Sequence, residues 1–260
     1  MQHLECYLEG RVAVITGGFS GIGKSIAEAL SERGAAVALG ARIIQNTITE
    51  KFRSQGQKMF SGQLDVRDTK SIQVFVEAVK TALGPIDILV NSAGIGVNQP
   101  VCDHPEDSWN DVINTNLSGP FRLIRACLPG MIERRWGRII NIGSTAARTA
   151  VADHPAYCAS KSGLLGLNRA VALEGAPYGV TSVVLSPTWV ETDMLRSSIT
   201  RQAKQKSTSI DKEFEGLVAQ SPQQRLVQPK EIAAIAAFLC RDEALGITME
   251  DIQINAGSLW

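Results

Sequence analysis

The 260-residue chain has no surplus of either charge, with 26 lysines and arginines against 26 aspartates and glutamates. Without a basic excess it has little with which to neutralise a phosphate backbone, so nucleic acid is excluded as the main partner. No run approaches the roughly 18 consecutive apolar residues that a spanning helix requires, so no place in a membrane is expected. The opening MQHLECYLEG lacks a basic start followed by an apolar stretch, and no signal peptide is read from it. Cysteine is scarce. Cys6, Cys102, Cys127, Cys158 and Cys240 are scattered, odd in number and never spaced as CxxC. That excludes a disulfide frame and a zinc site. It reads as reduced thiols in a cytoplasmic protein, each a small buried hydrophobe. Internal repeats, low-complexity tracts and linkers are also absent.

What the chain does have is alternation, on a composition that is 44% hydrophobic and can fill a sizeable core. Short β-forming runs occur at VAVI (12–15), AVAL (36–39), IDILV (86–90), RIINI (138–142), TSVVL (181–185) and DIQIN (251–255). A weaker one is KMFSGQL (58–64). Longer helical stretches separate them. GIGKSIAEALSERG carries Ile22, Ile26, Ala29 and Leu30 on one face and stops at Gly34. DTKSIQVFVEAVKTALG begins at an Asp68 or Thr69 cap, buries a stripe through Ile72, Phe75, Val76, Val79 and Leu83, and ends at Gly84-Pro85. Strands alternating with helices imply right-handed βαβ units on a parallel sheet. The expected fold class is α/β. It is a single doubly wound Rossmann domain over 1–260, with seven parallel strands and helices on both faces. Residues 193–228 break the rhythm, being long, polar and weakly periodic, and are expected to form a helical lid over a site.

Four of the eight residues in TGGFSGIG (16–23) are glycine, just after the first strand and at the start of the first helix. A parallel sheet places a dinucleotide pyrophosphate there, against free N–H groups and the positive end of the helix dipole. By analogy with other dinucleotide folds, Gly17 makes the tight turn, Gly21 lets backbone approach phosphate and Gly23 packs helix on strand. At the end of the second strand an acidic residue would accept from the ribose of NAD, but here Ala41 and Arg42 stand. An arginine forks onto a 2′-phosphate, which favours NADP(H) and leaves NAD(H) as the alternative.

In AYCASKSG, Tyr157 and Lys161 lie four apart on a helical stretch and project from one face. An ammonium beside a phenol lowers the phenol's pKa and makes it a usable acid or base. Ser144 sits at the carboxyl end of the RIINI strand, where ligands bind in such sheets.

Taken in order, TGGFSGIG, NSAG (91–94), NTNLSG (114–119), Ser144, YCASK (157–161) and PTWVET (187–192) resemble the short-chain dehydrogenase/reductase family over essentially the whole chain. The resemblance extends to 3-oxoacyl reductases, 3-hydroxybutyrate dehydrogenases and polyketide ketoreductases. It implies an NAD(P)-dependent oxidoreductase that passes hydride between cofactor and a carbonyl or secondary alcohol. Asn116 would hold a water on the proton path. Ser144 would polarise the substrate oxygen, Tyr157 would exchange its proton, and Lys161 would bind the nicotinamide ribose and tune Tyr157. Asp65 would lie by the adenine, with Val66 beside it. Asn91, Ala93 and Gly94 would line the cofactor and steady the sheet. Val190 and Thr192 would touch the carboxamide, and Phe19, Ser20, Ile22 and Pro187 complete the implied cofactor contacts. Three positions depart from the family pattern: Ser92 where Asn is usual, Thr188 where Gly is usual, and the tail INAGSLW in place of Asp-Gly-Gly.

Trp189, Met194 and Leu195, with Val97 and Ala146, are expected to wall a moderately apolar substrate pocket. Arg196, Arg201, Lys204 and Lys206 form either an anion-binding run or a solvated helix face. His154 reads as a solvated loop residue. The family implies a homodimer or homotetramer, and Leu259-Trp260 would suit an interface. A different class, a non-catalytic dinucleotide sensor, is disfavoured because both Tyr157 and Lys161 are present. No metal site is expected.

Overall fold

The computed structural model describes residues 6–258, the side chain of Gln205 excepted. The β-forming runs become β1 (Val12–Thr16), β2 (Ala36–Ala41), β3 (Met59–Gln63), β4 (Ile88–Asn91), β5 (Gly137–Ile142), β6 (Val180–Pro187) and β7 (Asp251–Ile254). All pair in parallel, in the order β3-β2-β1-β4-β5-β6-β7. The chain reverses direction across the sheet between β1 and β4, and the carboxyl ends of the strands open a crevice there.

Alternate residues of each strand serve opposite faces. Ala13 and Ile15, with Val37, Leu39 and Val90, pack beneath α1 (Gly21–Ser31) and α9 (Pro229–Leu239). Val12, Val14, Ala38 and Leu89 pack on the other face beneath α3 (Thr69–Leu83) and α5 (Gly119–Glu133). The long α6 (Pro155–Gly175) covers β6 on that side. Burying both faces of every central strand is what makes their sequences continuously apolar.

Two helices have no counterpart in the sequence reading: α2 (Asn46–Ser54), which buries only Thr49 and Phe52, and α4 (Glu106–Ile113), which buries only Val112. One or two buried positions make no detectable stripe. The segment expected as a lid folds as α7 (Asp193–Lys206) and α8 (Ile210–Ala219), followed by a run of turns that returns the chain to α9. Leu195, Ile199 and Leu226 form a small apolar cluster there, apart from the two main cores.

The cysteine expectation needs correction. Cys127 and Cys240 are buried and their thiols are pushed up to about 12 by desolvation, but Cys6 and Cys102 are exposed. Both lie where the chain runs over the surface, Cys102 in a short 3-10 turn with no buried residue. Leu259 and Trp260 lie outside the described residues. Among the described residues no helix is long and apolar enough to cross a membrane, and no cluster of potential ligands could hold a metal ion.

The α3 cap is resolved in favour of Asp68, whose carboxylate accepts from the backbone N–H groups of Lys70 and Ser71, both at 3.0 Å. Asp68→Ala should lower the unfolding free energy by about 1 kcal/mol in urea denaturation.

Candidate active site

A cleft of about 270 Å³ opens at the carboxyl ends of the strands. Gly17, Ser20, Gly21 and Ile22 line it on the α1 side. Arg42, Asp65 and Val66 line it beyond β2 and β3, and Ala93, Gly94 and Thr192 line it beyond β4 and β6. The glycines earn their places by geometry. Gly17 takes φ +65°, where a side chain is strained, and its N–H donates to Gly40 O at 2.8 Å. A Cβ on Gly23 would fall 2.5 Å from Gly17 O, so the first turn of α1 closes onto the strand only without one. The first turn of α1 carries no acidic residue, and Ser20 at its N-cap makes no side-chain cap bond. The donors and the dipole of that helix end are therefore available to a dinucleotide phosphate.

Arg42 is exposed at the cleft, and among the described residues no ion pair engages it. Asp65 is engaged by a residue the sequence reading overlooked. Arg67 donates to both Asp65 oxygens, Nη2 at 2.7 Å and Nε at 3.0 and 3.2 Å, and bonds Asp111 of α4 at 3.0 Å. This fork holds the Asp65 carboxyl below its ordinary range. An arginine two residues after the aspartate in QLDVRD was the available signal. The residues present thus fit a phosphorylated dinucleotide: a glycine cradle, a helix N-terminus and a guanidinium beyond β2.

Other candidates stand behind the cleft wall. Phe19, Asn91, Pro187 and Val190 are buried, and Val190 forms an isolated bridge with Val227. Of the three principal substrate-wall residues, only Met194 lines the cleft. Leu195 is 7% exposed within the small cluster beneath α7 and α8, and Trp189 packs against that cluster. The amphipathic register of α7 turns Leu195 inward, away from the wall it was expected to form, while Trp189 is half-buried ahead of that helix. Arg196 pairs with Glu191 and Lys206 with Glu213 at 2.8 Å, so half of the basic run is engaged internally. His154 Nδ1 lies 2.9 Å from Ala152 O, in keeping with a local loop role.

Two of the four candidate catalytic residues, Asn116 and Lys161, meet beside Gly94. A Cβ there would lie 3.4 Å from Asn116 Oδ1 and 3.8 Å from Lys161 Nζ, so the glycine lets cleft and tetrad meet. Asn116 sits in a π-helical turn (Asn114–Ser118) between α4 and α5. Its amide accepts from Ile95 N–H at 2.9 Å and donates to Ile95 O at 2.8 Å and Ser160 Oγ at 3.1 Å. Such single π turns recur where a helix must present a functional side chain.

Tyr157 and Lys161 project from α6, and Lys161 Nζ lies 5.6 Å from the centre of the Tyr157 ring. Lys161 donates to Ile142 O at 2.7 Å, and burial lowers its pKa to about 8. The expected lowering of the Tyr157 phenol by Lys161 is not what the structure gives. Burial raises the Tyr157 pKa, and the interaction that pulls it back down is a hydrogen bond with Ser144. Desolvation outweighs an ammonium that is itself turned to a carbonyl.

The profile of the family described as short chain dehydrogenase matches residues 11–203. The chain belongs to that family. It is an NAD(P)-dependent oxidoreductase. It is 38% identical to the 3-oxoacyl-(acyl-carrier-protein) reductase FabG of Escherichia coli strain K12 over 252 residues, covering 96% of this chain and 97% of the relative. The same identity holds for FabG of Vibrio cholerae over 250 residues, covering 96% and 98%. Among solved structures it resembles an actinorhodin polyketide ketoreductase variant with NADPH, at TM-score 0.92 and 35% identity, covering 95% of this chain and 96% of that one.

The Lys161 shift fixes a pH dependence. Its folded pKa of about 8 lies below the ordinary 10.5, so the unfolded chain binds more protons between those values and stability rises with pH there. The unfolding free energy of wild type should gain on that of Lys161→Met by about 3 kcal/mol between pH 8 and 10.5. Parallel denaturant titrations at several pH values measure it, and a flat difference would refute the buried-ammonium account.

Proposed function

We propose that this oxidoreductase is an NADP(H)-dependent ketoreductase of 3-oxoacyl thioesters, with Tyr157 as its proton donor. The observation that carries the reading is that Asn116 Oδ1 and Lys161 Nζ meet beside Gly94 of the glycine-lined cleft, with Lys161 over the Tyr157 ring and Ser144 near enough to lower the Tyr157 pKa. The relatives' names support the substrate class. The NADPH of the ketoreductase neighbour and the exposed Arg42 at the cleft support the cofactor.

Gly17, Ser20, Gly21 and Ile22 would hold the pyrophosphate, Arg42 the 2′-phosphate, and Asp65 with Val66 the adenine. Ala93, Gly94, Val190 and Thr192 would bound the nicotinamide end. When bound, NADPH supplies the hydride for the carbonyl carbon. The chain's own residues manage the oxygen. Ser144 orients it, and Tyr157 gives it a proton as negative charge develops. Burial raises the Tyr157 pKa further, so the phenol holds a proton to give, which suits reduction. Lys161 places its ammonium under the phenol ring and Asn116 clips the Gly94–Gly96 loop onto α6. We take the chain to be one domain with α7 and α8 as its lid. Phe121 on α5 and Leu173 on α6, exposed at 46% and 64%, support pairing of these helices between copies in a homodimer or homotetramer.

Tyr157→Phe should cut NADPH oxidation with acetoacetyl-coenzyme A by at least about 100-fold. NADPH binding, read by fluorescence, should be retained. Arg42→Ala should weaken NADPH binding about 10- to 100-fold and leave NADH binding unchanged. A wild-type enzyme that prefers NADH would overturn the cofactor assignment. Wild-type protein inert on a broad ketone and alcohol panel would favour the sensor reading.

A further inference from the structure

The turn that carries Ser144 is held from two sides. On one side is α6: Ser162 Oγ donates to Ala147 O at 2.9 Å, and the Ser144 side chain lies near enough to the Tyr157 phenol to lower its pKa. On the other side is a carboxylate at the start of the edge strand, Asp251. Its side chain is only 5% exposed, and it accepts from three side chains on three segments. These are Ser186 Oγ of β6, Arg148 Nε at 2.6 Å, and Gln253 Nε2 at 2.9 Å. Arg148 ends the 3-10 turn Thr145–Ala147 that Ser144 caps, and Ser144 Oγ accepts from Ala146 N–H at 3.2 Å. Ser186 lies directly beneath the same turn. A Cβ on Gly143 would fall 2.6 Å from Ser186 Oγ, and Gly143 N–H donates to Leu185 O at 2.8 Å.

A buried carboxylate contributes little to stability that an apolar residue of like size would not match. What Asp251 adds is direction: it ties the end of the Ser144 turn and the residue under its beginning to one point. We infer that Asp251 is a positioning residue for the reaction, holding the Gly143–Arg148 turn through Arg148 and Ser186 so that the Ser144 hydroxyl stays on the Tyr157 phenol. The inference rests on the reading of Ser144 and Tyr157 as the reacting pair. A small displacement of such a hydroxyl is enough to cost much of its effect.

The charged and titratable groups around the Tyr157 phenol are Lys161 and Cys158 on α6, with Ser144 facing them from the turn; the Gly96 backbone contributes no charge. Loss of the Ser144 contact therefore raises the Tyr157 titration midpoint. That midpoint can be followed by NMR of ring-labelled tyrosine in the full chain. There are three tyrosines, and the Tyr157 signal is the one lost in Tyr157→Phe.

The test uses Arg148→Ala, Arg148→Lys and Asp251→Asn, each alone and combined with Ser144→Ala. Arg148→Ala and Asp251→Asn should lower kcat on acetoacetyl-coenzyme A about tenfold while NADPH affinity holds. Both should raise the Tyr157 midpoint in the direction of Ser144→Ala. Neither should change kcat or midpoint further once Ser144 is gone, and Arg148→Lys should recover most of the loss. Undiminished losses in the Ser144→Ala background, or an unmoved Tyr157 midpoint, would overturn the proposal. Arg148 is about half exposed, so its variants carry the test if Asp251→Asn does not fold. Wild type inert on acetoacetyl-coenzyme A would refute the substrate reading alone, because the tyrosine titration still reports on the turn.

Discussion

A line of buried amides joins the middle of the sheet to α6. Asn91 on β4 donates to Asn141 on β5 at 2.8 Å, and Asn141 donates to Asn168 on α6 at 3.2 Å. Ser182 on β6 donates to the same Asn168 oxygen at 2.7 Å. All four residues are buried, and an amide left unpaired in such a place costs about 1–3 kcal/mol. The helix therefore has one depth and one rotation on the sheet at which this line closes. Asn168 lies two turns beyond Lys161, on the same buried side. What is settled at Asn168 is passed up a rigid helix to Lys161 and Tyr157, and from there to Ser144.

At that upper end, burial works against charge on both partners. It lowers the Lys161 pKa and raises the Tyr157 pKa. Each group keeps a specific polar partner, the Ile142 carbonyl for one and the Ser144 hydroxyl for the other. The phenol thus answers to a hydroxyl on a different segment from its own helix. The relative placement of the β5 turn and α6 becomes the quantity that the surrounding structure has to control.

The fold was legible because its signals are local and repeated. Seven apolar runs, the glycine turn and the Asp68 cap each announce themselves within a few residues. Shallow helices were not legible. α2 and α4 bury one or two side chains each, too few to make a periodic pattern. At the site, Ser144, Tyr157, Lys161 and Gly17 could be read from motif order. The partners that hold them could not. Arg67 lay two residues from Asp65 and was in plain view, but Asn168 and Asp251 act across 27 and 103 residues of chain, and separation in sequence hides such contacts. The pocket wall misled for another reason. Leu195 is apolar and near the site, yet a helix with its own small core draws it inward.

That small core has a consequence for how the molecule can change. Residues 191–226 leave and rejoin the body at a neck, where Val190 pairs with Val227 and Glu191 N–H donates to Val227 O at 2.9 Å. Glu191 also accepts from Gln228 at 2.8 Å across the same neck. Between them the segment has a small core of its own in Leu195, Ile199 and Leu226, and it touches the body again where Ser221 Oγ and Gln223 N–H donate to Ala256 O at 3.3 and 3.2 Å. A segment with a narrow stem and a private interior can be exchanged as one cassette. New side chains on α7 and α8 would then ride on that interior, with Thr192 at the cleft and Ala256 at the end of the sheet as the fixed points of the exchange.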